Sequence, residues 1–595
     1  MKPLNPVWDL DSIFTGGSES EELRSYVEKI EEDLESLHRL VSQFTPPQHS
    51  EQVDALQELI DSIQNVSKEL GEFGAFVSCL SAQNSADKKA VIWMSKRSEI
   101  GARFANIMTE LDQKLVQIKK DVWTGLLKEQ PFTEVSFVLN ERRQQAMDKL
   151  DYGKESLIND FAVDGYHGWG QMYDAIVGKM TISIGGEELS VGQAANKLSS
   201  SDRSVRKETF EKLQTAWSEE ADLFSETLNH LAGFRLQMYS QRGWDRLLKE
   251  PLELNRMSEQ TLNTMWETIE KYKQHYVKYL KRKAELIHVD QLNFYDVEAP
   301  IGETEQTMSF DEGASFIIEQ FRQFSPKMAD FAEMAFENRW IEAEDRAGKR
   351  PGGFCTSFPD SEQTRIFMTY SGTPSNVATL AHELGHAYHQ HVMNDLPALN
   401  QDYAMNVAET ASTFAEMIVA DAAVGKAKNE EEKLVLLEDK VQRSVAFFMN
   451  IHARFLFETS FYKEREDGVV SGERLNELMV QAQKEAYVET LGEYDPTFWS
   501  SKLHFHITDV PFYNFPYTFG YLFSLGIYAK AKQEGSEFEE QYIALLRDTG
   551  RMTVEELAEK HMGVDLRKPD FWEHALELGL KDVEEFMNLS SQYSS

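Results

Sequence analysis

Apolar residues recur at steps of three and four along most of this chain. Val53, Leu56, Ile60, Ile63, Val66, Leu70, Phe73, Val77 and Leu80 form one unbroken stripe, which predicts a long helix through this stretch. Residues 43–50, with Pro46 and Pro47, separate it from a helix before it. Residues 86–125 read as another long helix, and further helices are expected at about 204–241, 258–286, 311–338 and 430–466. The period changes to two at Thr181–Leu189, where Gly185-Gly186 stands in the position of a hairpin turn. It changes again in 349–373. There Gly352–Phe358 and Arg365–Tyr370 read as two short strands joined by a polar loop and leading into the next helix. The expected fold is therefore predominantly α with a small β element. Serines cluster at 195–203, which predicts an N-terminal helical domain over 1–198, hairpin included, and a larger domain over 199–595.

Composition sharpens this picture. With 33 glycines and 16 prolines in 595 residues, turn residues are too sparse for a strand-rich fold. The net charge of -38, from 61 basic and 99 acidic residues, repels phosphate backbones and argues against a nucleic-acid partner. The two cysteines, Cys79 and Cys355, form no framework of disulfides or metal ligands. The opening MKPLNPVWDLDSIF has no apolar run after its lysine, so a cytoplasmic protein is expected. Val510–Ala529 is free of charge and long enough to span a bilayer. Its Pro511, Asn514, Pro516 and many aromatics favour a buried, ligand-lining segment instead, and no membrane partner is expected.

Candidate chemistry begins at Thr373-Pro374, a capping hydroxyl followed by proline at the first helical position. The helix they open should run to about His391. On its wheel Val377, Leu380, Ala381, Leu384 and Tyr388 form the core face. His382 and His386 lie opposite, one turn apart, so both imidazoles can converge on one metal ion. Glu383 is offset by one residue, where a general base for a metal-activated water belongs. Gly385 leaves room for substrate or another backbone to approach. A catalytic zinc needs a third protein ligand and an open position. The nearly apolar stretch Tyr403–Val424 reads as a buried helix interrupted by Glu409 and Glu416. A buried carboxylate requires a partner, and Glu409 is the expected third ligand. Glu416, two turns on, is expected to orient a ligand histidine. His389 is the rival ligand, but it stands about 10.5 Å along the axis from His382, so it is expected beside the metal and not on it.

At these residues the chain resembles the thimet oligopeptidase and oligoendopeptidase F family of zinc peptidases, most of all the oligoendopeptidase F branch. The likeness rests on HELGHAYH at 382–389, AETASTFAE at 408–416, GKRPGGFCTSF at 348–358 and HITDVPFYNFPYTFGYL at 506–522, in that order. The resemblance implies a large helical ellipsoid with a deep central channel and one Zn2+ on its floor. It implies endopeptidase action on short, unfolded peptides. Carried over by position, His382, His386 and Glu409 match the zinc ligands and Glu383 the catalytic glutamate. The aromatic segment matches a cluster of one histidine and tyrosines that faces the transition state. His506, Tyr513 and Tyr521 are the best matches, with Tyr517 the further choice among the tyrosines.

The expected reaction is attack of a metal-activated water on the peptide carbonyl, with Glu383 moving the proton and a tyrosine hydroxyl, with His506 nearby, steadying the oxyanion. Two other readings are open: a zinc carboxypeptidase on a similar fold, and a metal-stabilised peptide-binding protein without catalysis. The glutamate of HELGH weighs against the second, because structural zinc needs no base.

Overall fold

The computed structural model describes residues 3–302, 307–350 and 352–593. Pro351 of the 348–358 motif lies outside them, as do the first two residues and the last two serines. The fold is predominantly helical, with two small sheets.

The stripe over 53–80 forms the helix Asp54–Gln83, following a helix at Glu21–Gln43. The helix expected over 86–125 ends at Val116, and a separate short helix spans Lys120–Leu126. The break has a tertiary cause. Buried Arg143 donates from Nε to the Leu115 carbonyl at 3.1 Å and from Nη2 to the Ile118 carbonyl at 2.7 Å, so these carbonyls find partners outside a helix. The segment over 311–338 is likewise two helices, Phe310–Phe324 and Pro326–Glu337, divided where Pro326 cannot continue the first. The segment over 430–466 is continuous but contains one π-helical turn, Ala446–Asn450.

Strands β1 (Thr181–Ile184) and β2 (Glu187–Ser190) pair antiparallel, with Gly185 and Gly186 both at positive φ as a tight hairpin turn requires. Strands β4 (Phe354–Phe358) and β5 (Gln363–Phe367) form the expected second hairpin. A two-residue strand β3 (Ile341–Glu342), too short to leave a sequence pattern, runs parallel to β5 and makes the order β3-β5-β4. One side of β4 is thus a free edge.

The apolar interior falls into two clusters. One holds residues from Trp8 to Leu139 together with Phe358 and Phe367 of the sheet. The other starts at Ala162 and takes in the rest of the chain, so residues 162–194 pack with the larger part. The division in packing lies between Leu139 and Ala162, ahead of the proposed boundary at 198/199. The uncharged segment at 510–529 is a loop and the first part of a buried helix, Phe515–Glu534. Among the described residues no helix is long and apolar enough to cross a membrane.

The HELGH helix spans Pro374–His391, with the Thr373 side chain accepting from the Asn376 N–H. Val377, Leu380, Ala381, Leu384 and Tyr388 are all buried, as the wheel requires. A fully buried leucine contributes about 1.5–3 kcal/mol. The opposite face packs on Thr410–Gly425 at Gly385. A Cβ added there would lie 2.5 Å from the Ala411 carbonyl oxygen and 2.6 Å from the Ser412 Cα. Both obstacles are backbone and cannot turn aside. Gly385→Ala should therefore cost about 1–3 kcal/mol by overpacking. Gly101→Ala, at a helical position with open space around it, should be neutral or stabilising by about 0.5–1 kcal/mol. Paired thermal or urea unfolding of the two variants checks this, and equal stability would refute the close-contact account.

Candidate metal centre and active site

The close contact at Gly385 brings the segment before Ala411 against the histidine face. The buried helix expected over Tyr403–Val424 is broken there. A short helix, Met405–Ala408, stops at Glu409, and the next begins at Thr410. Glu409 at the break has its Oε2 3.2 Å from His382 Nε2 and 3.5 Å from His386 Nε2. The three donor atoms lie within 4.8 Å of one another. Two imidazole nitrogens and a carboxylate oxygen are a donor set for a divalent transition metal, and a set of three leaves a coordination position free. The side chains of His382 and His386 retain 26% and 22% exposure, so a ligand can reach them.

The surroundings orient these donors. His382 Nδ1 lies 3.1 Å from Glu416 Oε2, an acceptor that makes Nδ1 a donor and turns Nε2 toward Glu409. Glu416 in turn pairs with Arg443. Ser412 donates its hydroxyl to Glu409 Oε2 at 2.8 Å. Burial works against the His382 charge, but Glu409 and Glu416 outweigh it and hold the imidazole at about 10. Burial also works against the Glu409 charge, and hydrogen bonding from His382 and the field of His386 bring that carboxyl down to about 2. His386, with less support, is pushed by burial to about 4.

Glu383 is 7% exposed, and its Oε2 is buried with no hydrogen-bond partner among the described residues. Burial lifts its carboxyl to about 7, against the pull of His382 and with the push of Glu409 and Glu416. An ideal catalytic acid–base group has its pKa near the working pH. A Cβ added at Gly353, beside the edge strand β4, would lie 3.7 Å from Glu383 Oε1. The entry to β4 therefore lies close to the carboxylate.

His389, expected beside the metal, is elsewhere. It is fully buried, stacks on Tyr403 at 4.2 Å and places Nε2 2.9 Å from Thr549 Oγ1. The aromatic segment needs a larger correction. His506 is 1% exposed, stacks on Tyr173 at 3.9 Å and sets Nε2 3.3 Å from the Trp499 carbonyl. Tyr521 is buried against Phe447, with its hydroxyl 2.8 Å from Ser444 Oγ. Neither joins Tyr513. The rings that do are His504, at 5.3 Å, and Tyr517, at 5.8 Å. All three are half-exposed, and Tyr517 feels the charge of Glu409. Phe512, just before Tyr513, has φ of 53°, a strained conformation of the kind that clusters at functional sites.

A Cβ added at Gly520 would lie 2.9 Å from the Asn406 carbonyl, and Ser524 donates to the Glu409 carbonyl at 3.2 Å. These small residues mark the face that meets the Glu409 segment. Tyr517 lies three and seven residues before them, but Tyr521, four residues after Tyr517 and three before Ser524, falls on the same stripe, so helical spacing alone does not choose between the two tyrosines. For His504 over His506 no local pattern decides.

Comparison with known proteins gives the family and the fold. A model of peptidase family M3 matches residues 197–578, and a model of the oligopeptidase F N-terminal region matches 114–182. An oligoendopeptidase F homolog of Lactococcus lactis is 22% identical, with 96% of this chain and 95% of that protein aligned. A group B oligopeptidase of Streptococcus agalactiae is 22% identical over 90% of this chain and 91% of its own. Among solved structures, a putative peptidase of Chlamydophila abortus superposes with a TM-score of 0.82 at 18% identity, covering 98% of this chain and 99% of that one. Oligoendopeptidase-F of Enterococcus faecium gives 0.69 at 18% identity, over 96% and 99%. These likenesses carry the fold, and the family model, matched over more than half the chain, carries the family. The chain belongs to peptidase family M3 and is a metallo-oligopeptidase.

Proposed function

We propose that this protein is a zinc-dependent endopeptidase that cuts internal bonds of short, unfolded peptides. The observation that carries the reading is the buried, unpartnered oxygen of Glu383 beside the His382–His386–Glu409 donor set. A structural metal site has no use for such a group. Zinc held by His382, His386 and Glu409 would supply Lewis-acid polarisation of the scissile carbonyl and a lowered pKa for the attacking water. Glu383 takes the proton from that water and hands it to the leaving amine. The hydroxyls of Tyr513 and Tyr517 donate to the oxygen on which charge develops, and His504 packs against both rings. The free edge of β4 suits an extended peptide, whose backbone can pair with it beside Glu383. Cys79 and Cys355 are both free thiols, which fits the expected reducing, cytoplasmic setting.

Cleavage of an internally quenched peptide blocked at both ends, with the products mapped by mass, tests the reading. Wild type should cut inside the peptide. Release only from unblocked C-termini would instead establish a carboxypeptidase. Glu383→Gln should lower kcat by roughly 10²–10⁴-fold while keeping its metal, and near-normal turnover would sink the assignment of the base. Glu409→Ala should lose most of its zinc, read by elemental analysis after dialysis, because two histidines alone hold zinc weakly. Tyr517→Phe should lower kcat by about 10²-fold with KM little changed, whereas Tyr521→Phe should stay close to wild type. The reverse order in steady-state kinetics would restore Tyr521 to the site.

A further inference from the structure

Two cations next to the tyrosines have no use in the chemistry above. Arg454, on the helix Ile451–Arg465, and Lys502, in the turn before His504, both lie over the ring of Phe498, at 5.3 Å and 5.1 Å from its centroid. Both depress the imidazole of His504 through their charge, and Arg454 also acts on Tyr517. They stand, then, on the same wall as the oxyanion donors.

Among the described residues neither is in an ion pair. Arg454 donates from Nε to Asn450 Oδ1 and from Nη1 to Asn514 Oδ1, both at 2.9 Å, and its Nη2 has no partner. The Lys502 ammonium makes no hydrogen bond; its one polar contact is the Phe498 ring. The carboxylates that reach them through space are engaged or exposed. Asp495 accepts from Thr497 at 2.7 Å, Glu458 accepts from Asn514 at 3.4 Å, and Glu298 is on the surface. Burial and the neighbouring guanidinium pull Lys502 down to about 8, so the pairing of like charges costs stability. In a chain with 99 acidic and 61 basic residues, an acid could readily stand here. Both side chains are half-buried, and neither cationic group is sealed from solvent. A fold that holds two neighbouring cations beside a candidate reaction site, with no ion pair among the described residues, leaves that pairing to its ligand.

We propose that Lys502 and Arg454 form a subsite that takes a carboxylate of the bound peptide, either its C-terminal carboxylate or an acidic side chain. The inference rests on the peptidase reading and adds a substrate preference to it. Lys502 is the residue to vary, because Arg454 also supports Asn514 next to Tyr513.

The test uses one neutral peptide in three forms: the free C-terminal acid, the C-terminal amide, and the amide with a single glutamate scanned along it. Wild type should favour one carboxylate form over the neutral amide by roughly tenfold to a hundredfold in kcat/KM. Preference for the free acid assigns the terminal carboxylate, and preference for a glutamate position assigns a side chain. Lys502→Met should lose most of that ratio and Lys502→Arg should keep it. The ratio is internal to each protein, so a general folding defect lowers all forms together and leaves it in place. Equal handling of all forms by wild type, or an unchanged ratio in Lys502→Met, overturns the proposal. Calorimetric binding of the same peptides to Glu383→Gln separates the two readings. If the carboxylate forms bind more tightly yet wild type cuts none of them, the peptidase reading fails and the subsite stands. If no form binds and none is cut, both fall.

Discussion

The backbone contact at Gly385 is the constraint on which the site depends. A helix carrying two histidines one turn apart can offer two ligands from one side, but a third must come from another segment. Gly385 sits between those histidines, and its missing Cβ lets the Ala411–Ser412 backbone come within the distance a side chain would occupy. Glu409, two residues earlier, is thereby set against both imidazoles. A second contact of the same kind, Gly520 on the Asn406 carbonyl, brings the tyrosine-bearing helix to the other side of that segment. Glu409 is held between two close backbone approaches, and the Ser524 hydroxyl on its carbonyl steadies the break in its helix. The ligand geometry is a product of packing as much as of the motif.

Electrostatics follow from that geometry. Glu383, Glu409 and Glu416 are brought into one partly dry region, which ordinarily disfavours ionisation of all three. They end in different states because their partners differ. Glu409 and Glu416 have His382, and Glu416 has Arg443 in addition, so both are pulled below the usual carboxylate range. Glu383 has no hydrogen-bonding partner for its buried oxygen and is pushed up. Three glutamates thus divide into two permanent anions and one group able to exchange a proton near neutrality. The division uses burial and partner choice alone, and it is what separates a ligand carboxylate from a base.

What the sequence discloses is set by range. The HELGH helix was legible in full, from its threonine cap to the buried face, because caps and wheels are local. So were the two hairpins, whose glycines and alternation lie within a few residues. The stop at Val116 was not, since it depends on Arg143, far along the chain. Neither was the break at Glu409, because an apolar run carries no mark of the backbone that will press on it. Glu409 was still legible as a residue needing a partner, since a carboxylate in an apolar helix demands one. His506 was expected at the site on its match to a motif, whereas the structure sets His504 against Tyr513 and Tyr517. The two lie two residues apart in the short 3-10 helix Leu503–His506, and which one faces the tyrosines depends on the Tyr173 and Trp499 surface that captures His506.

The N-terminal helices hold the sheet beside Glu383 although they carry none of the candidate site residues. Phe358 and Phe367 of the sheet are buried in the N-terminal core, and Glu72 accepts from the Asp360 N–H at 3.0 Å and the Ser361 N–H at 3.2 Å in the turn between β4 and β5. Arg365 of β5, fully buried, donates to the Asp9 carbonyl at 2.7 Å. Arg350 and Ser85 add backbone bonds, at 2.9 Å each, between the helical half and the loop ahead of β4. The sheet is therefore gripped on its turn, its middle strand and its entry loop by the first hundred residues. Its remaining side is the β4 edge beside Glu383. An edge strand left to itself would be mobile. The N-terminal half supplies rigidity to that edge, and the two cores meet at the sheet beside Glu383.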